Sequence, residues 1–254
     1  MRQIQKLQDA LVSLRLSEAS KELPAILAKA EKDQVSYLSF LNNLVEYERN
    51  KRDEKNMEKR LKLASFPCIA PLDDFNLEEQ ESMSQKEFNQ LKELAWVEQL
   101  FNLILLGPPG VGKTHLAVGL GLEAIQKGYK VSFISMGELV HTLKTLDITR
   151  KSQTRIKRIK DSHLVIIDDL MYAAMDPREA NLFFQLVNDL YNHSSIILTS
   201  NRSPKEWTEL LGDVGVATAI LDRLIHRAEI VSFNEDSHRM RNRQRIFNEE
   251  SVQK

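Results

Sequence analysis

Gly107-Pro-Pro-Gly-Val-Gly-Lys-Thr114 fits G-x-x-x-x-G-K-S/T, the pattern of a P-loop. An apolar run, Leu103-Ile-Leu-Leu106, precedes it and reads as a buried strand, and His115-Leu-Ala-Val-Gly-Leu-Gly-Leu-Glu-Ala-Ile125 follows it and reads as a helix. A strand, a glycine-rich loop and a helix in that order can curl backbone N–H groups around a phosphate. The helix N-terminus adds a partial positive charge at the same place. The spacing makes Gly107, Pro108, Pro109, Gly110, Val111, Gly112, Lys113, Thr114 and His115 the candidate residues for binding a nucleoside triphosphate. Within that set Lys113 is placed to reach the β- and γ-phosphates, and Thr114 to hold Mg²⁺ through its hydroxyl. Read otherwise, the stretch is only a Gly/Pro turn, but the strand before it and the helix after it favour the nucleotide loop.

A second signal follows. His163-Leu-Val-Ile-Ile-Asp-Asp169 is an apolar strand that ends in two acids. A buried parallel strand has no reason to end so unless a cation or a water needs the carboxylates. Asp168 is the candidate Mg²⁺ ligand, acting through a water because Mg²⁺ keeps much of its hydration shell. Asp169 is the candidate general base for the attacking water. Many ATPases of this type carry Glu at the second position, and Asp is one methylene shorter, which leaves slow hydrolysis as an open variant.

A third strand, Ser195-Ile-Ile-Leu-Thr-Ser200, ends at Asn201. Beside the P-loop strand, Asn201 would sense the γ-phosphate and the attacking water; alone, it reads as a turn cap before Pro204. Arg223, in Leu221-Asp-Arg-Leu224, reads either as an arginine finger reaching a neighbouring subunit's nucleotide or as a solvated helix arginine paired with an acid. Arg239, in Asp236-Ser-His-Arg239, opens a C-terminal helix and is a candidate for touching the phosphates from within its own subunit.

The 254 residues suffice for one large α/β domain plus a small appendage. Hydrophobic content of 42% and a net charge of -1 fit an ordinary globular chain. The single cysteine, Cys68, rules out an internal disulfide, and the six histidines show no metal-ligand spacing. No apolar run approaches a membrane span, and Met1–Lys6 lacks a signal-peptide core, so a cytoplasmic location is expected.

Residues 1 to 64 contain no Gly and one Pro, and read as a small helical domain that binds DNA or a partner. Leu7, Leu11 and Leu14 mark a first helix; Ser17 or Ser20 caps a second, with Pro24 expected in its first turn. A third starts at Ser36 and becomes highly charged from Glu48 to Lys62. From 65 to 254 the pattern is an ATPase domain. Strands are expected near 102–106, 130–135, 163–168, 195–200 and 229–233 with helices between, which predicts a parallel five-stranded sheet covered on both faces. One further helix is expected near Gln85 to Ala95.

The basic residues cluster. Arg150, Lys151, Arg155, Lys157, Arg158 and Lys160 follow one another with no acid among them, and Lys151, Arg155 and Arg158 fall on one helical face at i, i+4 and i+7. Arg49, Lys51, Arg52, Lys55, Lys59, Arg60 and Lys62 form a second cluster. Each reads either as a solvated helix face or as a stripe that neutralises DNA phosphates with little sequence preference.

The P-loop, the Ile-Ile-Asp-Asp box, the Thr-Ser-Asn201 strand end, the Leu-Asp-Arg-Leu box and the Asp-Ser-His-Arg box occur in the order and spacing that resemble AAA+ ATPases of the DnaA/DnaC clade. Leu14-Arg-Leu16, the charged stretch from Glu46 to Leu63, Phe66-Pro67 and Leu72-Asp-Asp-Phe75 resemble the IstB transposition helpers of bacterial insertion sequences. This resemblance implies an ATPase with ATP and Mg²⁺ as cofactors. Lys113 and Thr114 would be its Walker A residues, Asp168 and Asp169 its Walker B acids, Asn201 its sensor 1, Arg223 its arginine finger and Arg239 its sensor 2. It further implies ATP-dependent homo-oligomers on duplex DNA, largely sequence-independent binding, remodelling of the target and a cognate transposase as partner. Only 21 residues follow Phe233, so the clade's C-terminal lid is expected to be reduced. A DnaC-like helicase loader shares the ATPase machinery and is the alternative; a small-molecule P-loop kinase is disfavoured by the basic N-terminal domain.

Overall fold

The computed structural model describes residues 2–77, 82–170, 175–211 and 213–233. Arg239, its Asp236–Arg239 box and the reduced lid expected after Phe233 lie outside the described residues. The chain divides into two compact units, residues 1–60 and 61–254.

In the first unit, helices α1 (Arg2–Ser13) and α2 (Ser17–Lys32) and the start of α3 (Tyr37–Ala64) enclose a small core of Leu11, Ala19, Leu23 and Leu44. Two local expectations fail here, each for a tertiary reason. Neither Ser17 nor Ser20 caps α2: Leu16 holds the cap position without a side-chain bond, and the carboxylate of Glu48 accepts the N–H groups of Glu18 and Ala19, each at 2.8 Å. An anion at a helix N-terminus satisfies the unpaired donors and the dipole together. Pro24 lies in the interior of α2 rather than in its first turn. Proline cannot donate to the carbonyl four residues back, and that carbonyl, on Ser20, accepts instead from the Gln8 amide of α1 at 2.8 Å. Ser20 returns the bond, its hydroxyl donating to the Gln8 carbonyl at 2.9 Å.

The third helix starts next to Ser36, whose hydroxyl accepts the Ser39 N–H at 3.2 Å, and its charged stretch continues as one helix of 28 residues. The helix expected over Gln85–Ala95 is two pieces, α4 (Gln85–Glu93) and α5 (Ala95–Glu98), because Leu94 turns left-handed at φ 59°. Ser84 and Glu87 form a capping box that starts α4.

The second unit is built on five parallel strands: β1 (Asn102–Leu106), β2 (Val131–Ser135), β3 (Leu164–Asp168), β4 (Ser195–Ser200) and β5 (Ala228–Ser232). Their order is β2-β3-β4-β1-β5, and each lies within a residue of its expected bounds. The strands read as continuous apolar runs because the sheet is buried on both faces. Leu103, Leu105, Leu164 and Ile166 enter one core, while Ile104, Val165, Ile167, Ile196 and Leu198 enter the other. Helix α6 (Lys113–Gln126) and α4 cover the first face; α7 (Met136–Lys144), α8 (Arg150–Lys160), α9 (Pro177–Leu190), α10 (Pro204–Leu210) and α11 (Val214–Ile225) cover the second. Gly119 of α6 lets the chain at Ala70 and Leu72 approach closely, since a Cβ there would collide with the Leu72 side chain.

Candidate functional site

In a parallel sheet all the carboxyl ends lie along one edge, and that edge collects the polar residues singled out in the sequence. The P-loop leaves β1, Asp168 ends β3, and β4 lies between the two strands. Ser200 pairs with Leu106 and Leu198 with Ile167, so Thr199 stands level with Asp168 and Asn201 with Gly107.

The loop itself needs its glycines. Gly107 adopts φ 146°, and a Cβ on it would lie 2.5 Å from the Phe233 carbonyl oxygen, so any other residue would push β5's exit away. Gly112 flanks α6 at φ 100°, which frees the first turn of that helix to face the loop. Val111 is fully buried and pins the loop to the core. Lys113 is 93% removed from solvent at the first position of α6, and its ammonium donates to the carbonyls of Gly107 and Pro108, both at 2.8 Å. A cation held in this way on the loop's own carbonyls is positioned for an anion in the loop. Pro108 and Pro109 are exposed on the loop. His115 makes a different connection: Nε2 lies 3.0 Å from the Pro71 carbonyl, and its ring meets Phe75 edge-on. It ties the segment before the sheet to the first turn of α6.

Thr114 and Asp168 are 54 residues apart in sequence, and the threonine hydroxyl donates to Asp168 Oδ1 at 2.8 Å. Thr199, fully buried on β4, donates to the same oxygen at 2.6 Å. Burial is the largest influence on the Asp168 carboxyl and pushes its pKa above the ordinary carboxylate range; the two hydroxyl bonds act in the other direction and Asp169 raises it further. A desolvated carboxylate beside a second hydroxyl is an all-oxygen donor set suited to Mg²⁺, with water and phosphate oxygens completing the octahedron. Asp169 is exposed and left-handed at φ 56°, and its N–H donates to Thr199 Oγ1 at 2.9 Å.

Asn201 is exposed at the turn after β4, and that turn is fastened from beneath. Ser200 Oγ donates to the Leu170 carbonyl at 2.9 Å and accepts the Arg202 N–H at 3.1 Å, while the buried indole of Trp207 donates to Ser200 Oγ and the Arg202 carbonyl. Thr199, Ser200 and Trp207 escaped the sequence reading. The signal available was two hydroxyl residues closing an otherwise apolar strand.

Arg223 lies on α11, away from these contacts. Its guanidinium stacks over Phe184 at 5.0 Å and bonds Asn188 Oδ1 of α9 at 3.2 Å and the Ala219 carbonyl at 2.9 Å. The acid partner anticipated for a plain helix arginine is not what holds it; a ring and an amide do.

The two basic clusters divide unevenly. On α8 the expected stripe of Lys151, Arg155 and Arg158 is broken, because Ser152, Ile156 and Ile159 face the core and draw Arg155 inward with them. The Arg155 side chain is only 11% exposed; it donates to the Phe133 carbonyl and to Ser65 Oγ and faces Glu138 at 3.7 Å. Burial lowers its pKa, with Glu138 opposing. Arg158 reaches the Leu63 carbonyl at 3.4 Å, and Lys160 pairs with Asp189. Arg150, Lys151 and Lys157 are exposed, and among the described residues none of the three has an ion pair. On α3, Arg52 bonds Glu48 and the Arg15 carbonyl, Lys55 pairs with Glu18 at 2.6 Å, and Lys51 with Glu54 at 2.7 Å. Lys59 is exposed and Arg60 half-buried. A cavity of about 490 Å³ lies elsewhere, between α4–α5 and Glu229–Ser232 of β5, and no P-loop residue lines it.

The sheet and loop define an AAA+ fold of the DnaA/DnaC type. AMPPCP-bound DnaA from Aquifex aeolicus superimposes with a TM-score of 0.54 at 24% identity, over 68% of this chain and 52% of that one. The DnaC helicase loader does so with a TM-score of 0.52 at 22% identity, over 65% of this chain and 97% of that one. These likenesses concern the fold. Within it, the chain belongs to the family of IstB-like ATP binding proteins, whose model matches residues 9–246. An IS21 insertion-sequence protein of Pseudomonas aeruginosa, described as ATP-binding, is 36% identical over 94% of this chain and 91% of its own length. An IS21-like relative from Bacteroides fragilis, described likewise, is 37% identical over the same shares. Among the described residues, no helix is long and apolar enough to cross a membrane.

Proposed function

We propose that this chain is an ATP-dependent, DNA-binding helper of a transposase, which hydrolyses ATP. The observation that carries the reading is the meeting of Lys113, Thr114 and Asp168 at the carboxyl ends of β1 and β3 in a chain of this family. Relatives that are insertion-sequence proteins over nine-tenths of their length support a transposase partner over a replicative helicase.

Mg²⁺, held by the Thr114 hydroxyl and Asp168, would supply positive charge against the phosphates. The chain's own residues do the rest. The Lys113 ammonium exchanges the Gly107 and Pro108 carbonyls for phosphate oxygens. Asp169 takes a proton from the attacking water, and Asn201, level with the P-loop, orients that water. Arg223 acts in trans: leaving Phe184 and Asn188, it meets the nucleotide of a neighbouring copy and makes assembly depend on ATP. Arg150, Lys151 and Lys157, with Lys59 on α3, contact the backbone of duplex DNA, giving salt-dependent affinity with little sequence preference.

ATP binding and turnover by the purified chain, with and without duplex DNA, test this. Saturable, Mg²⁺-dependent ATP binding and hydrolysis are expected, with Arg223→Ala retaining binding in single subunits but losing assembly or turnover. Transfer of phosphate to a small acceptor, indifferent to DNA, would contradict it.

A further inference from the structure

The Thr199 hydroxyl has one proton to give and uses it on Asp168 Oδ1 at 2.6 Å; its oxygen accepts the Asp169 N–H at 2.9 Å. One fully buried group thus touches both members of the acidic pair, by side chain on one and by backbone on the other. Asp168 Oδ1 also receives Thr114, so two hydroxyls on different elements restrain the carboxylate's rotation through one oxygen. Asp169 sits at φ 56°, in the left-handed region, which costs a residue with a Cβ some conformational energy although Asp enters it more readily than most, and nearby hydrogen bonds hold it there. The bond from its N–H to Thr199 is one such restraint, and the bond of the next residue, Leu170 N–H to the Thr199 carbonyl at 2.8 Å, is a second. Both run to Thr199.

We infer that Thr199 is the positioning residue of the acidic pair: its hydroxyl sets Asp168 for Mg²⁺ and pins the backbone that presents Asp169. The inference rests on the proposed nucleotide reading and adds a residue to it. A hydroxyl is required, and a β-branched methyl is not. Thr199→Val keeps the shape and removes the hydroxyl, leaving the Asp169 N–H unpaired; Thr199→Ser keeps the hydroxyl.

The test measures two quantities on the full chain, after circular dichroism shows each variant folded. The first is the Mg²⁺ concentration that half-saturates the binding of a fluorescent ATP analogue, which needs no turnover. Thr199→Val should raise it about tenfold while magnesium-free binding of the analogue stays within about twofold. The second is steady-state hydrolysis: kcat for Thr199→Val should fall about 10- to 100-fold with the KM for ATP, at saturating Mg²⁺, within about threefold. Thr199→Ser should restore both to within about threefold of the parent. Parental Mg²⁺ dependence and kcat in Thr199→Val would overturn the inference, as would equal losses in the serine and valine variants. If the parent binds ATP but does not turn it over, hydrolysis is removed from the proposed function while the Mg²⁺ measurement still decides the role of Thr199. If the parent binds no ATP, both fall.

Discussion

The carboxyl edge of the sheet and the basic face of α8 are both rich in charge, and they are organised differently. At the sheet edge, strand pairing brings residues 54 positions apart into a single hydrogen-bonded group, in which Asp168, Thr114 and Thr199 share one oxygen. On α8, residues two apart do unrelated work: Arg155 is drawn under the helix to bond Phe133 and Ser65, while Lys157 stands in solvent. The α3 cluster behaves like α8, with Arg52 and Lys55 spent on Glu48 and Glu18. A motif with fixed backbone geometry states what its side chains can reach. A run of like charges states only composition, until the buried face of its helix is known.

This contrast predicts that charge removal at the sheet edge abolishes chemistry, whereas on the helices it either weakens the fold or weakens DNA binding. The largest expected effect is on turnover. Asp169→Asn should bind ATP within about threefold of the parent and hydrolyse it at least about 100-fold more slowly, as loss of a general base requires. Comparable ATPase rates in the two proteins would remove Asp169 from the reaction. Next, Lys113→Ala should lose about 100-fold in ATP affinity by titration calorimetry, since charge-assisted bonds to phosphate are the strong ones. Lys157→Ala should leave that affinity unchanged.

On α3 the expectation reverses. Glu48→Ala removes the acceptor at the start of α2 and should destabilise the N-terminal unit by about 2 kcal/mol, with ATP affinity untouched. Thermal unfolding followed by circular dichroism reads this; an unshifted melt would make the cap ornamental. The smallest effect belongs to the exposed cations. Arg150→Ala with Lys157→Ala should weaken duplex binding about tenfold at moderate salt and flatten the log–log salt dependence by about two contacts. Arg155→Lys, at a position already paired inside, should not change that slope.

Much of this was legible before any coordinates. The five strands stand within a residue of their expected limits because continuous apolar runs bounded by turns have no competing reading in a doubly covered sheet. Thr114 bonds Asp168, and Lys113 lies on the loop beside them, because the P-loop and the strand-end acids carry their geometry with them. What stayed hidden was set by distant residues. Pro24 sits inside α2 because Gln8, from another helix, takes the carbonyl that proline leaves open. The cap of α2 comes from Glu48, thirty residues on. The contact of Thr199 with Asp168 becomes visible only when β3 and β4 are laid side by side. Arg223 stacks on Phe184 and hydrogen-bonds Asn188 of its own chain, contacts that its motif does not express.

The measurement closest to the central claim is velocity sedimentation of the chain on duplex DNA with ATP, with ADP and with no nucleotide. The account predicts large assemblies only when ATP and duplex are both present, lost in Lys113→Ala and Arg223→Ala. A monomer that ignores both nucleotide and DNA would contradict it.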